Sequence, residues 1–239
     1  MPGNSIQKSQ FPVRLTRATL VGGIFWILTL EFFVGQAIAQ LAWKGQYSLI
    51  SDAISDLGVT VCGTVDIGGQ AGYYCSPLHN VMNASFILAG GFILLGLYFA
   101  RAAWPWNRTM RSGFVLLFLA GIGKVLVGLA PANVDFTLHF IGGIGIILGN
   151  VGLILVGLSF RRKEKWAADF SLILGGIGVL SYLYFLIDAA QRGLGERIAD
   201  YPVFAWFAVL GVFFILRSRS STAPAGLAKR DSSTTRPVS

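Results

Sequence analysis

The chain has 239 residues, of which 54% are hydrophobic and 13% charged, with a net charge of +8. Soluble domains carry roughly 25% charged residues, so water is excluded as the main solvent, and apolar runs recur along the whole chain without leaving a stretch for a separate globular core. The basic excess does not describe a nucleic-acid surface either, because no folded basic face with aromatic or groove-reading elements accompanies it.

Crossing about 30 Å of hydrocarbon takes roughly 20 helical residues. Six segments are long enough: approximately 18–42, 79–103, 112–131, 136–160, 167–190 and 199–217. In the last, the apolar run Tyr201 to Leu216 is short and needs the less apolar residues before it to complete a span. Apolar residues run continuously instead of alternating, which excludes barrel strands, and each backbone must satisfy itself in lipid. The 30 glycines fit, since small residues let membrane helices approach closely. The expected fold is all-α, a polytopic six-helix transmembrane bundle forming a single domain over residues 1–217.

Arg14 and Arg17 precede the first apolar run, but that run is too long for a signal peptide and contains Glu31, so it is expected to remain as a helix. Lys8, Arg14 and Arg17 lie before helix one; Arg101, Arg108 and Arg111 lie between helices two and three; Arg161, Arg162, Lys163 and Lys165 lie between four and five. Arg217, Arg219, Lys229, Arg230 and Arg236 follow helix six, whereas the opposite loops hold only Lys44, Arg192 and Arg197. The positive-inside rule then predicts both termini in the cytoplasm. The segment 218–239, rich in Ser, Thr, Pro and Ala and without aromatic residues, is expected to be a disordered cytoplasmic tail.

The longest loop, 43–78, is expected outside and holds both cysteines, Cys62 and Cys75. A disulfide there would contribute on the order of 3 kcal/mol; a cysteine-based metal site lacks C-x-x-C spacing. Before it, Leu49, Ile50, Ala53, Ile54 and Leu57 fall at helical spacing, and Gly58 is a plausible stop. Residues 47–57 are therefore expected to form a short amphipathic helix on the outer membrane surface or folded back over the bundle.

ISDLG (Ile54 to Gly58), SPLHNVMNASFILAG (Ser76 to Gly90), GIGKVLVGLAP with Asp135 and His139 after it, and GLGERIADYP before the last helix occur in this order. In these motifs, over roughly residues 20–217, the chain resembles the prokaryotic membrane family known as domain of unknown function 998. The resemblance implies a polytopic helical protein of a prokaryotic cell membrane and no established reaction. Any site has to be argued from the residues.

Ionisable groups inside a membrane are functional hypotheses by default. Glu31 and Lys124 each lie about 12 residues into their spans from the cytoplasmic side, about 18 Å deep at 1.5 Å per residue, and Asn150 is at similar depth. Equal depth and opposite charge predict an intramembrane Glu31–Lys124 ion pair, serving helix packing, a proton- or ion-coupled step, or a headgroup contact. A second cluster is expected at the outer end. His79 and Asn83 are four apart with Asn80 adjacent, Asp135 and His139 are four apart, and the helix-four face continues through Gly142 and Ile146 to Asn150. Asp52, Asp56, Asp188, Glu196 and Arg197 can approach this level, giving a polar groove, although aspartate and histidine at helix ends are also common caps and anchors.

Three chemistries can be written on these residues. A zinc hydrolase would use His79, Asp135 and His139 as ligands and Asp56 as base, without supporting motif spacing. A bis-histidine haem would use the same two histidines, and a serine hydrolase would use Ser48, Ser51 or Ser55 without an elbow motif. The leading expectation is non-enzymatic: an outward-facing groove binding or moving a lipid or small amphipathic molecule, with membrane lipids as partners. A structural or assembly scaffold is the remaining alternative, and neither cofactor nor oligomeric state is legible.

Overall fold

The computed structural model describes residues 16–162, 164–187 and 189–220. Lys8, Arg14, Lys163, Asp188 and residues 221–239 of the expected tail lie outside the described residues. Among the described residues, six helices are long and apolar enough to cross a membrane. The first span is two helices in succession, α1 (Arg17–Leu28) and α2 (Glu31–Ala42). At the break, the Thr29 hydroxyl donates to the Trp26 carbonyl at 2.6 Å, a back-bond of the kind that bends helices. The second and third spans are α3 (His79–Ala100) and α4 (Arg108–Leu129). The fourth is α5 (Phe136–Gly143) with α6 (Gly145–Phe160), interrupted at Ile144 inside a run of three glycines. The last two are α7 (Lys165–Ile187) and α8 (Arg192–Ser220).

These spans follow the expected positions except at the end, where α8 starts at Arg192 instead of about residue 199. GLGERIAD is thus helical. Pro202 sits inside α8, where its missing N–H leaves a carbonyl of the preceding turn without its usual partner. Asn150 of α6 braces this region, its Nδ2 donating to the carbonyls of Ala199 at 2.7 Å and Ile146 at 2.9 Å.

In lipid, helices associate by packing and not by a hydrophobic drive. Toward one face Trp26, Trp104, Trp206, Phe207 and Phe214 interlock; deeper toward the other, Phe32, Phe86 and Phe204 pack with Met82 and Val127. Glycines bring backbones together: a Cβ on Gly123 of α4 would sit 2.5 Å from the Gly142 carbonyl oxygen of α5. A larger residue there would part the two helices that position the cavity described below.

Residues 43–78, 130–135 and the α7–α8 connection share one face, hereafter the hairpin face. Strands β1 (Cys62–Ile67) and β2 (Gln70–Cys75) pair antiparallel, with Cys62 opposite Cys75. The expected disulfide joins them. The tip is a two-residue turn, Gly68 and Gly69, at φ +62° and +85°, the left-handed pair that suits the twist of a hairpin.

The amphipathic helix expected over 47–57 does not form; only Ser55–Gly58 makes a short 3-10 turn. Side chains of the segment occupy its own backbone instead. Asp52 accepts the Ser48 N–H at 2.6 Å, Ser48 Oγ accepts the N–H groups of Ile50 and Ser51, and Asp56 accepts the Ala53 N–H at 2.8 Å. Such local bonds offer the chain an alternative to the helix. Nor does the segment lie on the surface throughout, since Ile54 and Leu57 are fully buried among Phe32, Met82 and Phe86.

Candidate functional site

Arg192, Glu196 and Asp200 are four residues apart, so at 3.6 residues per turn they form a polar stripe along the start of α8. Each meets a different partner. Arg192 donates through a terminal nitrogen to Asp56 at 2.7 Å and through Nε to the Ser51 carbonyl at 3.1 Å. One oxygen of Glu196 accepts the Ile54 N–H at 2.7 Å. Asp200 pairs with Lys124 at 2.5 Å, both side chains buried. On an adjoining face Arg197 donates to the carbonyls of Leu49, Asp52 and Gly193 and to the Tyr47 hydroxyl. Gly193 is where this docking is tightest: a Cβ there would lie 2.2 Å from the Asp52 carbonyl oxygen. The head of α8 therefore serves as the hydrogen-bond partner of an irregular loop, as buried backbone groups require.

Between this docked loop and the bundle lies a cavity of about 320 Å³. Ala53, Ser55, Asp56 and the hairpin tip line its loop side. Phe136, His139 and Phe140 of α5 face Tyr182 and Leu186 of α7 across it, and Arg192 and Glu196 line it from α8. Phe136, Phe140 and Leu186 are 44%, 52% and 56% exposed, so the apolar flank continues onto the outer surface of the bundle. A second cavity of about 30 Å³, the space of roughly one water, lies further in, lined by Lys124, Val127 and Ala120. His139, Gly143, Ile146 and Glu196 line both. The two spaces thus adjoin through these four residues, with Lys124 lining the inner one.

Electrostatics on the loop side follow from burial. Burial pushes the Asp56 carboxyl up to about 6, against the opposing pull of Arg192. Burial likewise holds the Tyr47 phenol above its ordinary range, with Arg197 opposing.

Of the residues expected at a site, Asp56, His139 and Glu196 line the larger cavity. Most of the others have structural employment. Asp52 and Arg197 shape and hold the loop, and Asn83 donates to the Gly58 carbonyl at 2.9 Å. Asp135 is the N-cap of α5, accepting the Leu138 N–H at 2.9 Å. His79 bonds the Ser76 carbonyl at the start of α3; Asn80 beside it is exposed and lines neither cavity. Asn150 is fully buried between α6 and α8 and not in the groove. The zinc set His79, Asp135 and His139 is not assembled: among the described residues no three His, Cys, Asp or Glu side chains come together as a metal site. Capping and backbone bonds take those side chains elsewhere.

The expected Glu31–Lys124 pair is also corrected. Lys124 bonds Asp200, its ammonium 5.3, 5.3 and 5.5 Å from the ring centroids of Phe32, Phe86 and Phe204. Glu31 lies against the Ser85 hydroxyl of α3, in the first turn of α2, where the helix dipole favours a carboxylate. Arg192, Asp200, Tyr182 and the two phenylalanines of α5 are additional lining or neighbouring residues, and the spacing of 192, 196 and 200 signals one stripe once GLGERIAD is taken as helix.

A family model described as "Protein of unknown function (DUF998)" matches residues 21–213. The chain belongs to this family. No curated protein and no solved structure matches it. Within this DUF998 protein the ISDLG and GLGERIADYP motifs are in contact through Glu196–Ile54, and Arg192, the residue just before the second motif, bonds Asp56 of the first. A further contact runs from Asn83 of the SPLHNVMNASFILAG motif to Gly58.

Proposed function

We propose that this multi-pass membrane protein binds a lipid or similar amphipathic molecule in the cavity between α5 and α7. The observation that carries the reading is the sorting of its lining. Polar groups of Asp56, Arg192, Glu196 and His139 lie inside, and the flank of Phe136, Phe140 and Leu186 is exposed on the bundle surface. A volume of about 320 Å³ falls in the range of small-molecule sites, roughly 300–1,000 Å³, enough for a headgroup and the first part of a chain. A membrane-side apolar flank lets such a molecule enter without its chain leaving lipid. We further place both termini in the cytoplasm of a prokaryotic cell, with the hairpin face outside, on the strength of the Lys and Arg distribution.

The test is a phospholipid carrying a diazirine in its acyl chain, reconstituted with the protein in vesicles and photolysed. Labels are expected on Phe140, Tyr182 and Leu186. The label on Tyr182, which is buried, should disappear in Gly143→Leu, because Gly143 lines both cavities and a Cβ added there meets nothing within 4 Å. Labelling spread evenly over all lipid-facing helices, and unchanged by that substitution, would refute the proposal.

A further inference from the structure

We infer that the cavity selects an amphiphile whose polar end is an ammonium group, an inference that rests on the amphiphile reading above. The inner wall holds one carboxyl group, Glu196, that forms no ion pair with the cations around it. Glu196 is 8% exposed, uses one oxygen for the Ile54 N–H, and lines both cavities. The nearby cations are engaged elsewhere: Lys124 with Asp200, Arg192 with Asp56, and Arg197 with carbonyls and Tyr47. None of the three forms an ion pair with Glu196.

His139 supplies a second acceptor. Its Nδ1 lies 2.8 Å from the Ala130 carbonyl, which can only accept, so in the neutral ring Nδ1 carries the hydrogen and Nε2 keeps a lone pair. The rings of Phe136, Phe140 and Tyr182 complete the walls, and ring faces attract cations. A carboxylate and an imidazole acceptor beside aromatic walls suit a primary ammonium, which brings three donors and one positive charge. A terminal carboxylate or phosphate would instead set further acceptors against the Glu196 carboxyl and the His139 Nε2. Asp56 adds little net charge, being neutralised by Arg192. An ethanolamine headgroup and a free alkylamine share this chemistry.

Vesicles doped with diazirine-bearing phosphatidylethanolamine or phosphatidylglycerol separate the possibilities, since both lipids carry the phosphate and only one the ammonium. The ethanolamine lipid should label the cavity about 10-fold more than the glycerol lipid, as expected for a charge-assisted contact. Glu196→Gln, which keeps an oxygen for the Ile54 N–H, should bring the ratio near one without abolishing labelling. Dodecylamine and dodecanol are then added as competitors. A wild-type ratio near one, with dodecylamine displacing the label far better than dodecanol, would keep the ammonium site and assign it to a free amphiphile. A ratio near one with equal displacement, or a preference that survives Glu196→Gln, would overturn the inference while leaving lipid binding intact. No cavity labelling by either lipid would overturn the lipid-binding reading itself.

Discussion

Replacing Lys124 by Met leaves the Asp200 carboxylate buried without its counter-ion. The two side chains are 9% and 3% exposed and 2.5 Å apart, so neither can turn to water. Removing one partner of such a pair costs about 3–5 kcal/mol, most of it the desolvation of the charge left behind. For a chain of this size that corresponds to a fall in Tm on the order of 10 °C. Asp200→Leu should lose a similar amount, because it leaves the ammonium facing three phenylalanine rings with no carboxylate. The double substitution removes both charges and is expected to return to within about 1 kcal/mol of the parent, since apolar replacement of a buried pair is often nearly neutral. Glu31→Gln combined with Lys124→Met should instead be additive, as the two side chains have different partners. Thermal unfolding of the purified protein in detergent gives all values of both cycles. Additive losses for Lys124 and Asp200, or strong coupling of Lys124 to Glu31, would refute the assignment of the pair.

Three further outcomes are expected. Because the folded-state value for Asp56 is raised to about 6 from 3.8, the folded protein binds the extra proton between these values. This carboxyl therefore favours the folded state below about pH 4, an advantage of at most about 3 kcal/mol that is lost as pH rises through 6. Comparing Tm at pH 4.5 and 7 for the parent and Asp56→Asn isolates it; an unchanged pH dependence in the variant would show that Asp56 titrates normally. Gly68→Val should release the hairpin tip from α5, since Gly68 has φ +62° and a Cβ there would lie 2.3 Å from the Phe136 ring. Faster hydrogen exchange across β1 and β2 reports it, and parent-like protection would contradict the contact. Labels at both termini and at Lys163 should be cytoplasmic and a label at Asp66 external; an external C-terminus would overturn the proposed orientation.

The lipid solvent explains how much of this fold is legible in one dimension. A span needs a continuous apolar run and a closed set of backbone hydrogen bonds whatever its neighbours are, so all six were readable as hydropathy. Two cysteines confined to one loop likewise point to a disulfide from the sequence. The hairpin was written too, in Val65 and Ile67 alternating with Thr64 and Asp66 before Gly68-Gly69.

Partner choice is different, because depth along a helix fixes one coordinate and leaves rotation and neighbours open. Glu31 and Lys124 do have similar depth, and Phe32, one residue beyond Glu31, does approach the Lys124 ammonium. A step of about 100° around the helix turns Glu31 toward Ser85 instead. The start of α8 resisted reading for a related reason. Arg192, Glu196, Arg197 and Asp200 depress hydropathy enough to suggest a loop, and they are tolerable in a helix only because Asp56, Ile54, the 49–52 carbonyls and Lys124 wait for them. Those partners come from two distant parts of the chain, and only the tertiary structure brings them to one place.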